Sequence, residues 1–245
     1  MKWEDMMDKF LYGYKAPRLM STMALYKIAQ EAKLTITRKT FHLMVKDMKS
    51  AGKLVQVRKG LYANLRALPQ VVPAEAAQYL FPGAVVSLQY VLGAFGVINN
   101  PPRAVTVVAP IQDIDGKRIP PSVRTLTGEF SEYRVHALPA WLFTGKAGSL
   151  EDREDGSVRY YRRATPEKAL VDWIYLAGSP HSRLPMPPFD TDIEDLDMDR
   201  LLRLGKNAGI EERLRGFIDG LGRGGEDEEP GRFLELQGPT RNVSR

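Results

Sequence analysis

Apolar residues near the start of the chain recur at the spacing of two short amphipathic helices. The first begins at Ser21 or Thr22, either of which is a suitable N-terminal cap. The second begins at Thr35 or Thr37 and ends at Gly52, where glycine suits a left-handed residue. Two such helices separated by a tight turn predict a helix-turn-helix.

A short hairpin is predicted directly after the second helix. Residues 53–57 and 61–63 have the composition of two strands, and Arg58-Lys59-Gly60 has that of a turn. The wing of a winged helix needs a cationic tip of this kind, because it lies over the phosphate backbone of DNA. The order of these elements therefore favours a winged helix-turn-helix that binds duplex DNA.

The second helix carries a polar stripe opposite its apolar face. Its members, at spacings of three and four, are Lys39, His42, Lys46 and Lys49. Arg38 stands at the start of the helix, where helix-turn-helix proteins read base edges, while later cations contact phosphates. A solvated lysine face is the alternative interpretation, and the hairpin that follows favours DNA.

The rest of the chain alternates predicted helices and strands. A helix is expected to begin at the cap Ser87, and a strand to cover residues 104–109. Thr165 and Pro166 open another helix, and residues 200–208 and 211–218 predict two short ones.

We therefore predict an α+β protein with an N-terminal winged helix-turn-helix and a mixed α/β domain that ends in a helical extension. The predicted boundaries are 1–68 for the DNA-binding domain, 69–220 for the second domain with its extension at 190–220, and 221–245 for a flexible tail rich in glycine and acidic residues.

Charge is unevenly distributed along the 245 residues. Residues 1–66 carry fourteen Lys or Arg and five Asp or Glu, a net charge of +9. The remainder carries twenty-one and twenty-five, a net charge of −4. This asymmetry is typical of a nucleic-acid-binding domain joined to a separate domain.

The composition argues against several classes of enzyme. The chain has no cysteine and only three histidines, so thiol catalysis and zinc ribbons are excluded and we expect neither a metal nor a cofactor. Glycine-rich phosphate loops and Gly-x-Ser-x-Gly elbows do not occur. Asp115-Gly116-Lys117 has the form of a nuclease triplet, but only Asp113 stands close upstream, and we interpret the segment as a turn. We expect a protein that is not an enzyme.

The polar N-terminus and the absence of a long apolar run predict a cytoplasmic protein that does not associate with membranes.

Three segments occur in an informative succession. They are Val57 to Ala63, Val86 to Ile98 and Arg163 to Asp172, and the last contains the specific run Ala-Thr-Pro-Glu-Lys-Ala-Leu. This succession resembles the AbiEi-like antitoxins of type IV toxin–antitoxin systems, which act in phage defence. The resemblance implies a winged helix that represses its own operon by binding inverted repeats in the promoter. It also implies a second domain that counteracts a nucleotidyltransferase-like toxin encoded beside it.

The resemblance assigns residues to both roles. It places DNA contact on Thr37, Arg38, Lys39, His42, Lys46, Arg58 and Lys59. It places the antitoxin or partner segment on Ser87, Thr165, Glu167, Lys168 and Asp172. Lys168 and Asp172 are expected on the exposed face of their helix, either as a surface ion pair or as part of a partner-binding face.

Two other functions stay open at this point. The winged helix could direct a DNA nuclease or another defence enzyme, although the carboxylate–lysine arrangement of a nuclease is incomplete. It could also belong to a transcription factor whose second domain senses a small ligand.

Overall fold

A computed structural model describes residues 3–32, 37–100, 102–114, 117–119, 125–143 and 161–221. The helices are α1 (Trp3–Leu11), α2 (Thr22–Glu31), α3 (Arg38–Ser50), α4 (Pro73–Leu80), α5 (Gln89–Ala94), α6 (Pro166–Ala177), α7 (Met198–Asn207) and α8 (Glu211–Leu221), with a 3₁₀ helix at Ala140–Phe143. The strands are β1 (Leu19–Ser21), β2 (Leu54–Arg58), β3 (Leu61–Asn64), β4 (Val85–Val86), β5 (Val105–Ile114), β6 (Lys117–Ile119), β7 (Thr125–Thr127) and β8 (Glu132–Pro139). The protein is α+β, as predicted.

The N-terminal region, residues 3–67, combines α1 to α3 with an antiparallel sheet in the order β1-β3-β2. The hydroxyl of Ser21 accepts the amide of Ala24 at 3.1 Å, and that of Thr37 accepts the amide of Thr40 at 3.2 Å. These caps satisfy amides that the first turns of α2 and α3 leave unpaired. Gly52 has φ 66° after the end of α3, in agreement with the predicted left-handed residue.

A small apolar core holds the N-terminal region together. Its buried residues are Met7, Leu11, Met20, Leu25, Ala29, Ala32, Phe41, Met44, Val45, Met48 and Leu54. Four of them form the predicted apolar face of α3, so the opposite face of that helix points to solvent.

The second part of the chain is built on a mixed sheet in the order β4-β5-β8-β7, with β6 paired to β5. Strands β5 and β8 run parallel, with Val105 opposite Tyr133. The Tyr133 hydroxyl donates to the Pro73 carbonyl of α4 at 3.1 Å on one face of this sheet. On the other face, the hydroxyl of Thr106 accepts the amide of Tyr90 in α5 at 3.0 Å. Helices α7 and α8 pack against α6.

The hairpin β2–β3 contributes to both cores. Leu54 lies in the small core, whereas Val57, Leu61 and Ala63 belong to the larger core that contains the second sheet. The larger core therefore continues across the predicted boundary after residue 68. Arg18 strengthens this junction, because its guanidinium contacts both carboxylate oxygens of Glu75 in α4 at 2.6 Å.

One predicted feature of the second part differs from the structure, and one strand of the N-terminal region was not predicted. Ser87 does not cap a helix, because α5 begins after Leu88 and the Ser87 hydroxyl donates instead to Asp172. The strand β1 was not predicted, since its three residues are too few to show a pattern and it forms only by pairing with β3. The cap at Thr165 is confirmed, with its hydroxyl 3.3 Å from the amide of Lys168.

The predicted tail beyond Leu221 and the residues Asp115 and Gly116 of the predicted turn lie outside the described residues. In the ranges that are described, every helix falls short of the length and apolar character that a membrane span requires.

Candidate nucleic-acid interface

The outer face of α3 brings the predicted DNA-contact residues of this helix together. Thr37 caps the helix, and the predicted residues Arg38, Lys39, His42 and Lys46 are all exposed. Other exposed positions on the same helix are Thr40, Leu43, Asp47 and Ser50. The core-facing side of the same helix is apolar, so these polar side chains are directed into solvent. The arrangement gives one exposed helix with cations at its start and along its length.

The hairpin tip supplies the remaining predicted DNA-contact residues. Arg58 and Lys59 are exposed, and Gly60 completes the turn with φ 84°. The Gly60 carbonyl accepts the amide of Thr22 at 2.9 Å, which fastens the tip to the first residue of α2. The two cations are therefore presented on a hairpin that is held against the helical pair.

Leu43 lies among these polar residues and was not singled out from the sequence. Its side chain is 53% exposed, although leucine is normally buried. It stands four residues after Lys39 and three before Lys46, so all three share one side of the helix. In a major groove such an apolar side chain can contact the methyl group of thymine. The helical spacing in the sequence was the signal that could have identified it.

Lys49, the last member of the predicted stripe, is engaged within the protein. Its ammonium contacts a carboxylate oxygen of Glu129 at 2.7 Å and donates to the amide oxygen of Gln56 at 3.2 Å. Glu129 also accepts the backbone amide of Gln56 at 3.3 Å. The hydrogen bond from Lys49 lowers the pKa of Glu129 below the usual glutamate value. A carboxylate of the turn between β7 and β8 thus binds the C-terminal end of α3.

Gly128 explains how the turn after β7 comes so close to β2. A Cβ atom at this position would lie 2.3 Å from the carbonyl oxygen of Val57, a distance that a side chain cannot adopt. Glycine therefore permits the backbone of this turn to lie on β2 and to place Glu129 beside Lys49. We call the contact among Lys49, Gln56, Gly128 and Glu129 the α3 latch.

The residues predicted for the antitoxin or partner segment lie in the interior. The buried set is Ser87, Thr165, Glu167, Lys168 and Asp172, none of them more than 6% exposed. The prediction that Lys168 and Asp172 lie on an exposed helix face is wrong. Helix α6 packs against α5, α7 and α8, and its polar positions are enclosed as well as its apolar ones.

Asp172 is the centre of this buried cluster. It accepts the hydroxyl of Ser87 at 2.9 Å and forms an ion pair with the ammonium of Lys168, one turn earlier on α6. Burial raises the pKa of Asp172, while the positive charge of Lys168 and the hydrogen bonds from Lys168 and Ser87 lower it. Thr106 extends the network by donating to the Ser87 carbonyl at 2.6 Å.

Two segments that carry the family resemblance meet at this cluster. The amide of Val86 donates to the Arg162 carbonyl at 3.0 Å, and the amide of Ala164 donates to the Val86 carbonyl at 2.9 Å. Leu88 follows directly and adopts φ 60°, a strained value for a residue other than glycine. The segments 86–98 and 163–172 are therefore one structural motif in space.

Glu167 joins α6 to the next helix. Its carboxylate accepts the amide of Asp197 at 3.4 Å and lies 3.9 Å from the guanidinium of Arg200. Asp197 is the N-terminal cap of α7, so Glu167 contacts the start of that helix. In the described ranges no group of three or more His, Cys, Asp or Glu side chains is arranged to hold a metal ion.

Comparison with known proteins finds similarity in fold. No family model matches the chain, and no curated protein matches it. The crystal structure of the Rv2827c protein from Mycobacterium tuberculosis is similar to this chain with a TM-score of 0.50 and 18% sequence identity. The match covers 84% of this chain and 73% of that chain. At this identity the similarity concerns the α+β architecture alone.

Proposed function

We propose that the N-terminal region is a winged helix-turn-helix that binds duplex DNA, with α3 as the recognition helix and β2–β3 as the wing. On this proposal the protein represses its own promoter by binding inverted repeats. It acts as the antitoxin of a type IV toxin–antitoxin system in phage defence and counteracts a nucleotidyltransferase-like toxin.

The observation that carries the DNA-binding half is the exposed face of α3 together with the hairpin tip. Arg38 and Lys39 stand at the start of the helix, where base edges are read, and Lys46 stands two turns later. Arg58 and Lys59 occupy the tip of a hairpin fastened to α2. Cations in these positions suit the grooves and the phosphate backbone of B-DNA.

The antitoxin half rests on the resemblance of the segments 86–98 and 163–172. Their contact through Val86, Ser87 and Asp172 supports interpreting them as one unit of the interior rather than as a contact surface. We therefore assign toxin recognition to the protein surface that lies over these two segments. Their buried residues hold that surface in place and do not contact the toxin themselves.

A binding titration tests the DNA half. A fluorescent duplex from the region upstream of the gene is titrated with the full chain at several salt concentrations, beside a shuffled duplex. We expect specific binding that survives unlabelled competitor DNA. Lys46→Gln should weaken it, whereas Lys206→Gln, a matched change on the exposed side of α7, should not. Equal binding to both duplexes that disappears at moderate salt would contradict the proposal.

A growth assay tests the antitoxin half separately. The full chain is expressed with the nucleotidyltransferase-like protein encoded next to it, and recovery of growth is measured. The variant Arg38→Ala/Lys39→Ala should lose repression of the promoter and still restore growth. Failure of the wild-type chain to restore growth would refute the antitoxin half and leave the repressor half unaffected.

A further inference from the structure

A groove of about 940 Å³ lies on the second sheet, away from α3. Its floor comes from β8 and the end of β5, and its wall comes from the C-terminal end of α6 and the segment 179–184 that follows. The volume falls within the range of roughly 300 to 1,000 Å³ that is usual for sites that bind small molecules.

The polar lining of this groove is cationic. Two guanidinium groups and two imidazoles face it, those of Arg134, Arg183, His136 and His181. Among the described residues that line the groove, none is Asp or Glu. Hydroxyl groups, including that of Ser179, complete a lining of donors that suits an anion with several oxygen atoms.

The positions in the fold explain why these donors converge. Arg134 and His136 are two residues apart on β8, so their side chains emerge on the same face of the sheet. That face is the one that carries Thr106 and α5, because Arg134 is opposite Thr106 in the parallel register.

Arg134 pairs with Glu132 at 2.7 Å, whereas no described carboxylate pairs with Arg183. Arg183 is therefore the cation that is best placed to pair with a ligand.

The lining also contains apolar and aromatic side chains. Tyr175 of α6 faces the groove and packs edge-on against Trp141, with 6.3 Å between ring centroids. Leu176 and Ile111 extend this surface. A ring held in place by a second ring is a suitable platform for stacking a planar heterocycle.

We propose that this groove binds a nucleoside polyphosphate. The phosphates lie among Arg183, His181 and Arg134, and the base lies against Tyr175. A lining that combines arginines and hydroxyl groups with an aromatic ring matches the two chemical parts of such a ligand. The site is separate from α3 and does not depend on the DNA-binding proposal.

Calorimetry on the full chain tests the proposal, with ATP, GTP, CTP and UTP as probes and with adenosine and pyrophosphate as their separate parts. We expect at least one triphosphate to bind more tightly than pyrophosphate, and adenosine to bind least. Arg183→Gln should weaken triphosphate binding about tenfold, the effect of losing one charge-assisted contact. Arg203→Gln, an exposed arginine on α7, is the matched control and should leave it unchanged.

The aromatic half is tested by Tyr175→Leu, which should reduce the advantage of the best triphosphate over pyrophosphate, whereas Tyr175→Phe should retain it. Thermal unfolding of each variant separates loss of the site from loss of the fold. The proposal is overturned if no triphosphate binds at millimolar concentration or if Arg183→Gln and Arg203→Gln behave alike. It is also overturned if pyrophosphate binds as tightly as every triphosphate, or if only changes in α3 abolish binding.

Discussion

Helices α3 and α6 begin in the same way and use their charges in opposite ways. Each is capped by a threonine whose hydroxyl accepts an amide three residues later, at Thr40 in one case and at Lys168 in the other. Helix α3 directs Lys39 and Lys46 into solvent, whereas α6 encloses Lys168 with Asp172. The same residue type is therefore solvated in one helix and paired in the interior in the other.

The surroundings of the two helices cause this difference. Helix α3 has one apolar face on a small core, and the polar residues of its opposite face are exposed apart from Lys49, which contacts Glu129. Helix α6 packs against three helices and contributes to the larger core, and every residue from Pro166 to Ile174 is buried. A buried ammonium has to be paired, because an isolated charge in the interior loses its hydration without compensation. Solvated lysines have no such constraint and can exchange water for phosphate.

The largest effect is expected from breaking the buried pair. Asp172→Ala removes the partner of Lys168 and leaves an uncompensated charge in the core, which should lower the free energy of unfolding by about 3 to 5 kcal/mol. Urea unfolding of the two proteins measures the change. The double variant Lys168→Met/Asp172→Leu removes both charges and should recover most of the lost free energy of unfolding.

An exposed pair with the same spacing provides the control. Arg215 and Glu211 on α8 are also four residues apart and contact each other at 3.0 Å, but the arginine is exposed and the glutamate is partly exposed. Glu211→Ala should change the free energy of unfolding by no more than about 1 kcal/mol. Equal losses for Asp172→Ala and Glu211→Ala would contradict our account of α6.

This comparison also shows what the sequence can predict. Helix α3 and the hairpin after it follow from local signals: apolar spacing, the cap at Thr37 and the glycines at 52 and 60. The burial of Lys168 does not follow, because Ala169, Leu170, Trp173 and Ile174 form an apolar face that would look the same on a surface helix. The polar side of α6, which carries Lys168, is buried only because α7 and α8 cover the helix. These two helices begin more than twenty residues after α6 ends.

The α3 latch was beyond prediction for a similar reason. Lys49 and Glu129 are 80 residues apart, and each looks like an ordinary surface charge in its own segment. Only the fold brings the turn after β7 against β2. The cationic groove likewise depends on the pairing of β8 with its neighbours and on the segment after α6, so its residues form no motif in the sequence.

A second prediction sharpens the distinction between base contacts and phosphate contacts on α3. Arg38→Ala or Lys39→Ala should weaken operator binding by about 1 to 3 kcal/mol if the side chain reads a base. Lys46→Ala should instead reduce the salt slope by about one unit and weaken binding to all sequences alike. Affinity measured against the logarithm of salt concentration for each variant distinguishes the two. Unchanged curves for all three variants would remove α3 as the recognition helix.

The smallest effect concerns Glu129, where the two parts of the molecule meet. Glu129→Gln removes the charge that holds Lys49, so the lysine becomes available to a phosphate. We expect modestly tighter DNA binding and a salt slope that is steeper by about 0.9, the contribution of one additional phosphate contact. The free energy of unfolding should fall by less than about 1 kcal/mol, since the ion pair is partly exposed.

Two further measurements test whether Lys49 is responsible. In a Lys49→Met background, Glu129→Gln should leave both the affinity and the salt slope unchanged. Because the hydrogen bond from Lys49 lowers the pKa of Glu129, the carboxylate stabilises the folded protein at neutral pH, and this contribution disappears as the pH falls through the lowered pKa. The stability difference between wild type and Glu129→Gln should therefore vanish in acid. A difference that persists there would mean that Glu129 acts through something other than its charge, and α3 would then be positioned by packing at Gly128 rather than by the ion pair.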